Sequence, residues 1–322
     1  MITKLFDYII TRIRNKYLFE KNFVKQNDFL NDEYAEKTGQ EASNLIKLSL
    51  QGNTPVMIAR IGASELTIMT EYLSSKGLLA KYFNFITGKT DSYRYNKTTM
   101  GAQADISGIF PSNKKLLDNF SQFMVEEIKE INILGTWLKN EILFKAELKK
   151  SKRIRLKDIE PYYVNEPWTK ALKGKTVLVI HPFAESIKKQ YKIKDNLFTN
   201  SDILPHFNLI VYKPVQSIAK NKSDFNNWFE ALEFMKKEIS SIDFEIAIIG
   251  CGAYGLPLAA HIKRMGKKSI HMGGATQILF GIKGTRWDSH PFISTLYNKH
   301  WIRPSVQETP RNFKKMENGA YW

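Results

Sequence analysis

Residues 244–272 read FEIAIIGCGAYGLPLAAHIKRMGKKSIHM. The apolar run 244-FEIAIIG-250 has the length and β-branched content of a buried strand, and 268-KSIHM-272 has the same form. Between them residues 255–266 carry helical spacing, so the segment reads strand, glycine turn, helix, strand. Two strands joined through a helix lie parallel, and parallel strands need helices on their faces. The fold class that follows is α/β with a mainly parallel sheet.

Working outward, the same alternation recurs. Strands are expected at 55-PVMIARI-61, 175-KTVLVI-180 and 208-NLIVYKP-214, with a shorter one at 131-INILGTW-137. Helices fit 64–76, 114–130 and 224–240, the last with Phe225, Trp228, Phe229, Leu232 and Met235 on one side. The expected architecture is a doubly wound, Rossmann-like domain over 46–322, preceded by a helical N-terminal arm over 1–45. Residues 80–112 are polar, aromatic and without clear period, as a substrate or lid loop would be. The basic run 145–157 reads as a solvated helix face or a connector between half-sheets.

The chain has 322 residues, of which 43% are hydrophobic, enough for a sizeable core. Lys+Arg 48 against Asp+Glu 32 gives a net charge of +16. Such an excess draws anions: nucleic acid, an acidic membrane surface or a phosphorylated substrate. The basic residues are scattered and no nucleic-acid motif is present, which disfavours the first. A lone Cys251 excludes a disulfide framework and a zinc ribbon, and fits a reducing setting. No window reaches the ~20 apolar residues of a membrane span. The opening segment lacks a secretory signal pattern, so a cytoplasmic location is expected. Leu5, Phe6, Ile9, Ile13 and Tyr17 recur at helical spacing beside Lys4, Arg12, Arg14 and Lys16. That arm either packs on its own domain or rests on an acidic membrane.

Four turns follow strand ends and open helices, and in open α/β sheets such turns converge on one ligand-binding crevice. In the first, Arg60 offers a fork of donors to phosphate oxygens, Gly62 permits close approach, and Glu65 opens the helix. Glu65 suits bridging to a divalent cation or taking an acceptor's proton; pairing with Arg60 is the competing reading. In the second, Gly250, Gly252 and Gly255 have the spacing of a phosphate cradle. The next strand ends at His271 with no acid for a ribose, which disfavours a nicotinamide cofactor. The third carries Gly273 and Gly274 before Thr276 and Gln277. The fourth carries His181, a base, a phosphate donor or a loop partner, with Ser186 in the following helix turn. Phosphate-loop, nucleophile-elbow, zinc-protease and kinase patterns are all missing.

The string Arg60-Ile61-Gly62-x-x-Glu65-Leu66, together with the C-terminal segment 248–274 and the closing Asn318-Gly319-Ala320-Tyr321-Trp322, resembles bacterial glycosyltransferases of the GT-D fold and related surface-polysaccharide cluster proteins. The likeness covers roughly residues 50 to 285, with the first motif the specific one. In that family the turn reads R-I-G-D-G-E, and its acidic pair holds a divalent metal against the diphosphate of a sugar nucleotide. Here Arg60, Gly62 and Glu65 match, and Ala63 stands in place of the Asp. The resemblance implies transfer of a sugar from a nucleotide diphosphate-sugar donor to a surface-polysaccharide, glycan or lipid-linked acceptor, with peripheral membrane contact. It implies Mn²⁺ or Mg²⁺ held through Glu65, or a diphosphate neutralised by Arg60 and lysines. On that reading Glu65 and His181 are catalytic. Arg60, Gly62, Ser186, Gly250, Gly252, Gly255, His271, Gly273 and Gly274 contact the donor. The loss of the Asp also admits a silent scaffold or nucleotide-sugar-binding protein.

Overall fold

The computed structural model describes residues 2–20, 30, 32–75, 78–88, 97–218, 223–315 and 317–322. Its strands are β1 (Val56–Ala59), β2 (Ile133–Thr136), β3 (Lys152–Arg155), β4 (Thr176–Ile180), β5 (Asn208–Tyr212), β6 (Ile246–Ile249) and β7 (Lys268–His271). All pair in parallel in the order β3-β2-β1-β7-β6-β4-β5. The chain winds outward from β1 to β3, restarts at β4, and closes β7 against β1.

Helices cover both faces, which is why the strands read as continuous apolar runs. They are α1 (Ile2–Glu20), α2 (Gly39–Gln51), α3 (Ala63–Ser75), α4 (Leu78–Ile86), α5 (Lys97–Ser107), α6 (Lys114–Glu127), α7 (Ala184–Tyr191), α8 (Trp228–Ser240), α9 (Gly255–Arg264) and α10 (Thr276–Leu279). Strand side chains alternate between two cores. Met57, Ala59, Leu178, Ile180, Ala247 and Ile249 face α3, α6, α8 and α9. Ile58, Val177, Val179, Ile246, Ile248 and Ile270 face α2, α7 and α10. Ends follow local chemistry: α8 begins at Trp228 because the Asn227 side chain accepts the Phe229 and Glu230 amides.

Three expectations change. The basic run 145–157 contains β3, an edge strand pairing with β2. Only Ile154 points inward there, so its apolar pattern is one residue deep, while the charged neighbours suit an edge. The stretch 80–112 is largely helical, holding most of α4 and all of α5; Met100 and Ala104 bury against the core. Residues 89–96 of that stretch, and Lys76 at the end of the expected helix 64–76, lie outside the described residues. Helix α2 runs across residue 46, the expected start of the domain, and buries Ala42, Ile46 and Leu50 in the sheet core.

Candidate functional site

Six strands end around one pocket. Arg60 follows β1, Trp137 β2, His181 β4, Gly250 β6, and His271 closes β7; residues 214–218 arrive after β5. This is the crevice beyond the carboxyl ends of the strands where open α/β sheets take ligands. It encloses ≈ 190 Å³, room for about six waters at ~30 Å³ each.

Arg60 stacks its guanidinium over Trp137, 4.7 Å from the ring centroid, and donates to the Ile61 carbonyl at 3.1 Å. Trp137 is fixed by its own bond to that carbonyl at 3.0 Å. Arg60 Nε is buried with no hydrogen-bond partner, and no carboxylate among the described residues lies within ion-pair distance of the guanidinium. Burial pulls the Arg60 pKa down, while Glu65, Tyr321 and Glu141 oppose it at longer range. A half-buried arginine left this way suits an anion.

Glu65 sits in the first turn of α3, half-buried. A methyl group on Gly62 would fall 1.8 Å from Glu65 Oε2, so a side chain there would displace the carboxylate from its present position. Burial pushes the Glu65 pKa up; its own backbone amide and Arg60 only partly offset this. The expected alternative, a direct Arg60–Glu65 ion pair, is not formed.

His181 is buried, and its Nδ1 accepts the Phe183 main-chain N–H at 3.0 Å. The proton of the neutral ring therefore sits on Nε2. Burial lowers its pKa to about 3, with Glu308 opposing. A ring in that state donates at neutral pH and does not serve as a base. His271 is likewise buried, with Nδ1 3.3 Å from the Ile249 carbonyl, and its pKa falls to about 3 through burial and then Arg60.

The glycine turns meet. A Cβ on Gly250 would lie 2.5 Å from the Gly273 carbonyl and 2.8 Å from His181 Cδ2. Gly273, at φ +63°, presses on Arg60, and Gly274 presses on Tyr321. Gly252 lines the pocket at φ +59°. Two expected site residues lie elsewhere. Gly255 does not line the pocket: its missing side chain makes room for the His271 ring, which a Cβ would meet at 2.2 Å. Ser186 is engaged by Glu308, whose Oε1 accepts the Glu185 and Ser186 amides at 2.9 and 3.1 Å and whose other oxygen takes the Ser186 hydroxyl. The N-terminus of α7 is already filled by that internal carboxylate.

Among the described residues no group of three His, Cys, Asp or Glu side chains is placed to hold a divalent cation, and Ala63 leaves Glu65 as the sole acid of its turn. Cys251 is buried and its thiol pKa is pushed up by burial, so it is no nucleophile.

Trp137, Ser107, Gln216 and Arg286 also line the pocket and were not expected. Trp137 and Gln216 follow β2 and β5, so strand ends alone could have flagged them. Ser107 ends a helix, and Arg286 reaches the site through its contact with Tyr321, 4.9 Å from guanidinium to ring. Comparison of the chain with protein-family models, curated proteins and solved structures returns no match.

Proposed function

We propose that the protein is a glycosyltransferase that takes a sugar from a nucleotide diphosphate donor and passes it to a surface-polysaccharide, glycan or lipid-linked acceptor. The observation that carries this reading is Arg60: a guanidinium at the strand-end crevice, with a buried unpartnered Nε and no carboxylate in ion-pair reach. A leaving diphosphate supplies the missing negative charge. Arg60, the His181 Nε2–H and the backbone around Gly250 and Gly273 then stabilise charge growing on that leaving group. Glu65, with its raised pKa, takes the proton of the acceptor hydroxyl. No step is routed through a metal.

Titration calorimetry with nucleoside diphosphates and nucleotide sugars, with and without Mn²⁺, tests the binding half. Arg60→Gln removes a charge-assisted contact of ~1.5–3 kcal/mol, so affinity should fall about 10- to 150-fold. Unchanged affinity in that variant removes the basis of the reading. A second reading, a donor-binding protein without turnover, is favoured by Ala63 in place of the acidic residue. Donor hydrolysis that is lost in Glu65→Ala separates the two.

Helix α1 supports an acceptor at an anionic lipid surface. It packs on α4, with Arg14 over the Phe85 ring, yet leaves Leu5 61%, Ile9 46% and Ile13 44% exposed at four-residue spacing. Exposed Arg12 and Lys16 flank that apolar stripe, and the whole chain carries +16.

A further inference from the structure

The geometry points to Gln277 as a specificity residue, one that makes the pocket select an anionic ligand carrying a hydroxyl or N–H donor beside its phosphate. Gln277 is wholly buried at the start of α10 and lines the pocket. Its Nε2 donates to the carbonyls of Ile282, Lys283 and Tyr321 at 3.3, 3.1 and 3.1 Å. Those contacts fix the amide, because the flipped orientation would set Oε1 against three carbonyl oxygens. With the nitrogen committed to the loop, Oε1 is the amide atom left to a ligand, and no donor among the described residues reaches it.

The position matters as much as the orphaned atom. Gly273 abuts Arg60 on one side, and Gly274 abuts Tyr321 on the other, where Gln277 holds the Tyr321 carbonyl. Arg60 Nε, a donor with nothing to bond, and Gln277 Oε1, an acceptor with nothing to bond, thus belong to two residues that line one pocket. An inorganic diphosphate answers Arg60 through its acceptors and, apart from the P–OH it keeps near neutral pH, has no hydroxyl or N–H donor beside the phosphate. A neutral sugar answers Gln277 alone. A phosphate ester of a sugar or nucleoside answers both. This rests on the diphosphate reading above and adds which part of the donor is read, and by which residue.

The test is calorimetric titration of the full chain with inorganic diphosphate, the nucleoside diphosphates, their 2′-deoxy, 3′-deoxy and base N-methyl analogues, and nucleotide sugars with single sugar hydroxyls removed. The arms distinguish ribose, base and sugar as the source of the donor. A nucleoside diphosphate or nucleotide sugar should bind at least about tenfold more tightly than inorganic diphosphate, and deleting one particular donor should cost about tenfold or more, since a site built for a hydroxyl or N–H rejects the analogue lacking it. In Gln277→Leu that single loss should vanish while inorganic diphosphate binds as before. If Gln277→Leu does not fold, the deletion series on the unmodified chain still decides. Binding of diphosphates with no donor deletion costing more than about twofold overturns the role of Gln277 and leaves the diphosphate reading standing. Failure of every diphosphate to bind overturns both.

Discussion

Two buried histidines at the pocket give the chain a calculable weakness to acid. His181 and His271 are 3% and 4% exposed and each has a folded pKa near 3, against about 6.5 in the unfolded chain. A folded pKa below the unfolded one means that the unfolded state binds the extra proton between those values. Stability from these groups is therefore complete above pH 6.5 and is lost as pH falls toward 3. Each group forfeits up to ~1.4 kcal/mol per pH unit in that window, less near pH 6.5 where the unfolded ring is half protonated, so the pair loses roughly 3 kcal/mol between pH 6.5 and 5.0. Glu160 acts in the opposite sense. Burial raises its pKa to about 7, against hydrogen bonding from Tyr162 and attraction to Arg60, so protonation stabilises the fold as pH drops from about 7 to 4.5. A raw pH profile mixes the two, and the difference between variants isolates the histidines. Asn at 181 can accept the Phe183 amide, and Asn at 271 can donate to the Ile249 carbonyl, yet neither titrates. Urea unfolding of the unmodified chain and of His181→Asn/His271→Asn at pH 7.5, 6.5, 5.5 and 5.0 should show the gap moving by about 4 kcal/mol toward the variant between pH 7.5 and 5.0. Parallel profiles would refute the claim that these rings are held neutral by burial.

Glu65→Gln should leave donor affinity within about threefold while lowering turnover at least 100-fold, as loss of a general base does, measured by release of nucleoside diphosphate. Gly250→Ala should lower stability by roughly 1–3 kcal/mol, read as a fall in melting temperature, because its methyl meets the Gly273 carbonyl, Thr276 and His181 within 2.8 Å. Burial raises the Glu308 pKa but hydrogen bonds from Ser186 and Ser305 more than offset it, so Glu308→Gln should cost about 1–3 kcal/mol at pH 7 by weakening charge-assisted bonds to the start of α7. That cost should shrink as the medium is acidified below the Glu308 pKa. Sedimentation with anionic vesicles should retain the unmodified chain and release Ile9→Glu/Ile13→Glu, and equal retention would argue against α1 as the lipid contact.

By itself the sequence determined the class of fold and most of its frame. The runs ending at Arg60, Ile180, Gly250 and Met272 could only be buried parallel strands, because each is apolar on both of its alternating faces and is followed by a helix. Their ends also located most of the pocket, since the chain must reverse there and the reversals of a parallel sheet gather on one rim. Strand β3 escaped notice because a single inward residue, Ile154, makes no period, and α5 escaped because its contacts are tertiary rather than patterned. Only the folded chain decided which side chains are left wanting. Glu308 comes from 122 positions away to occupy Ser186, the His271 ring claims the space beside Gly255, and Trp137 takes the face of Arg60 without neutralising it. Whether a buried polar atom is satisfied depends on groups brought from distant parts of the chain, and no local spacing encodes that sum.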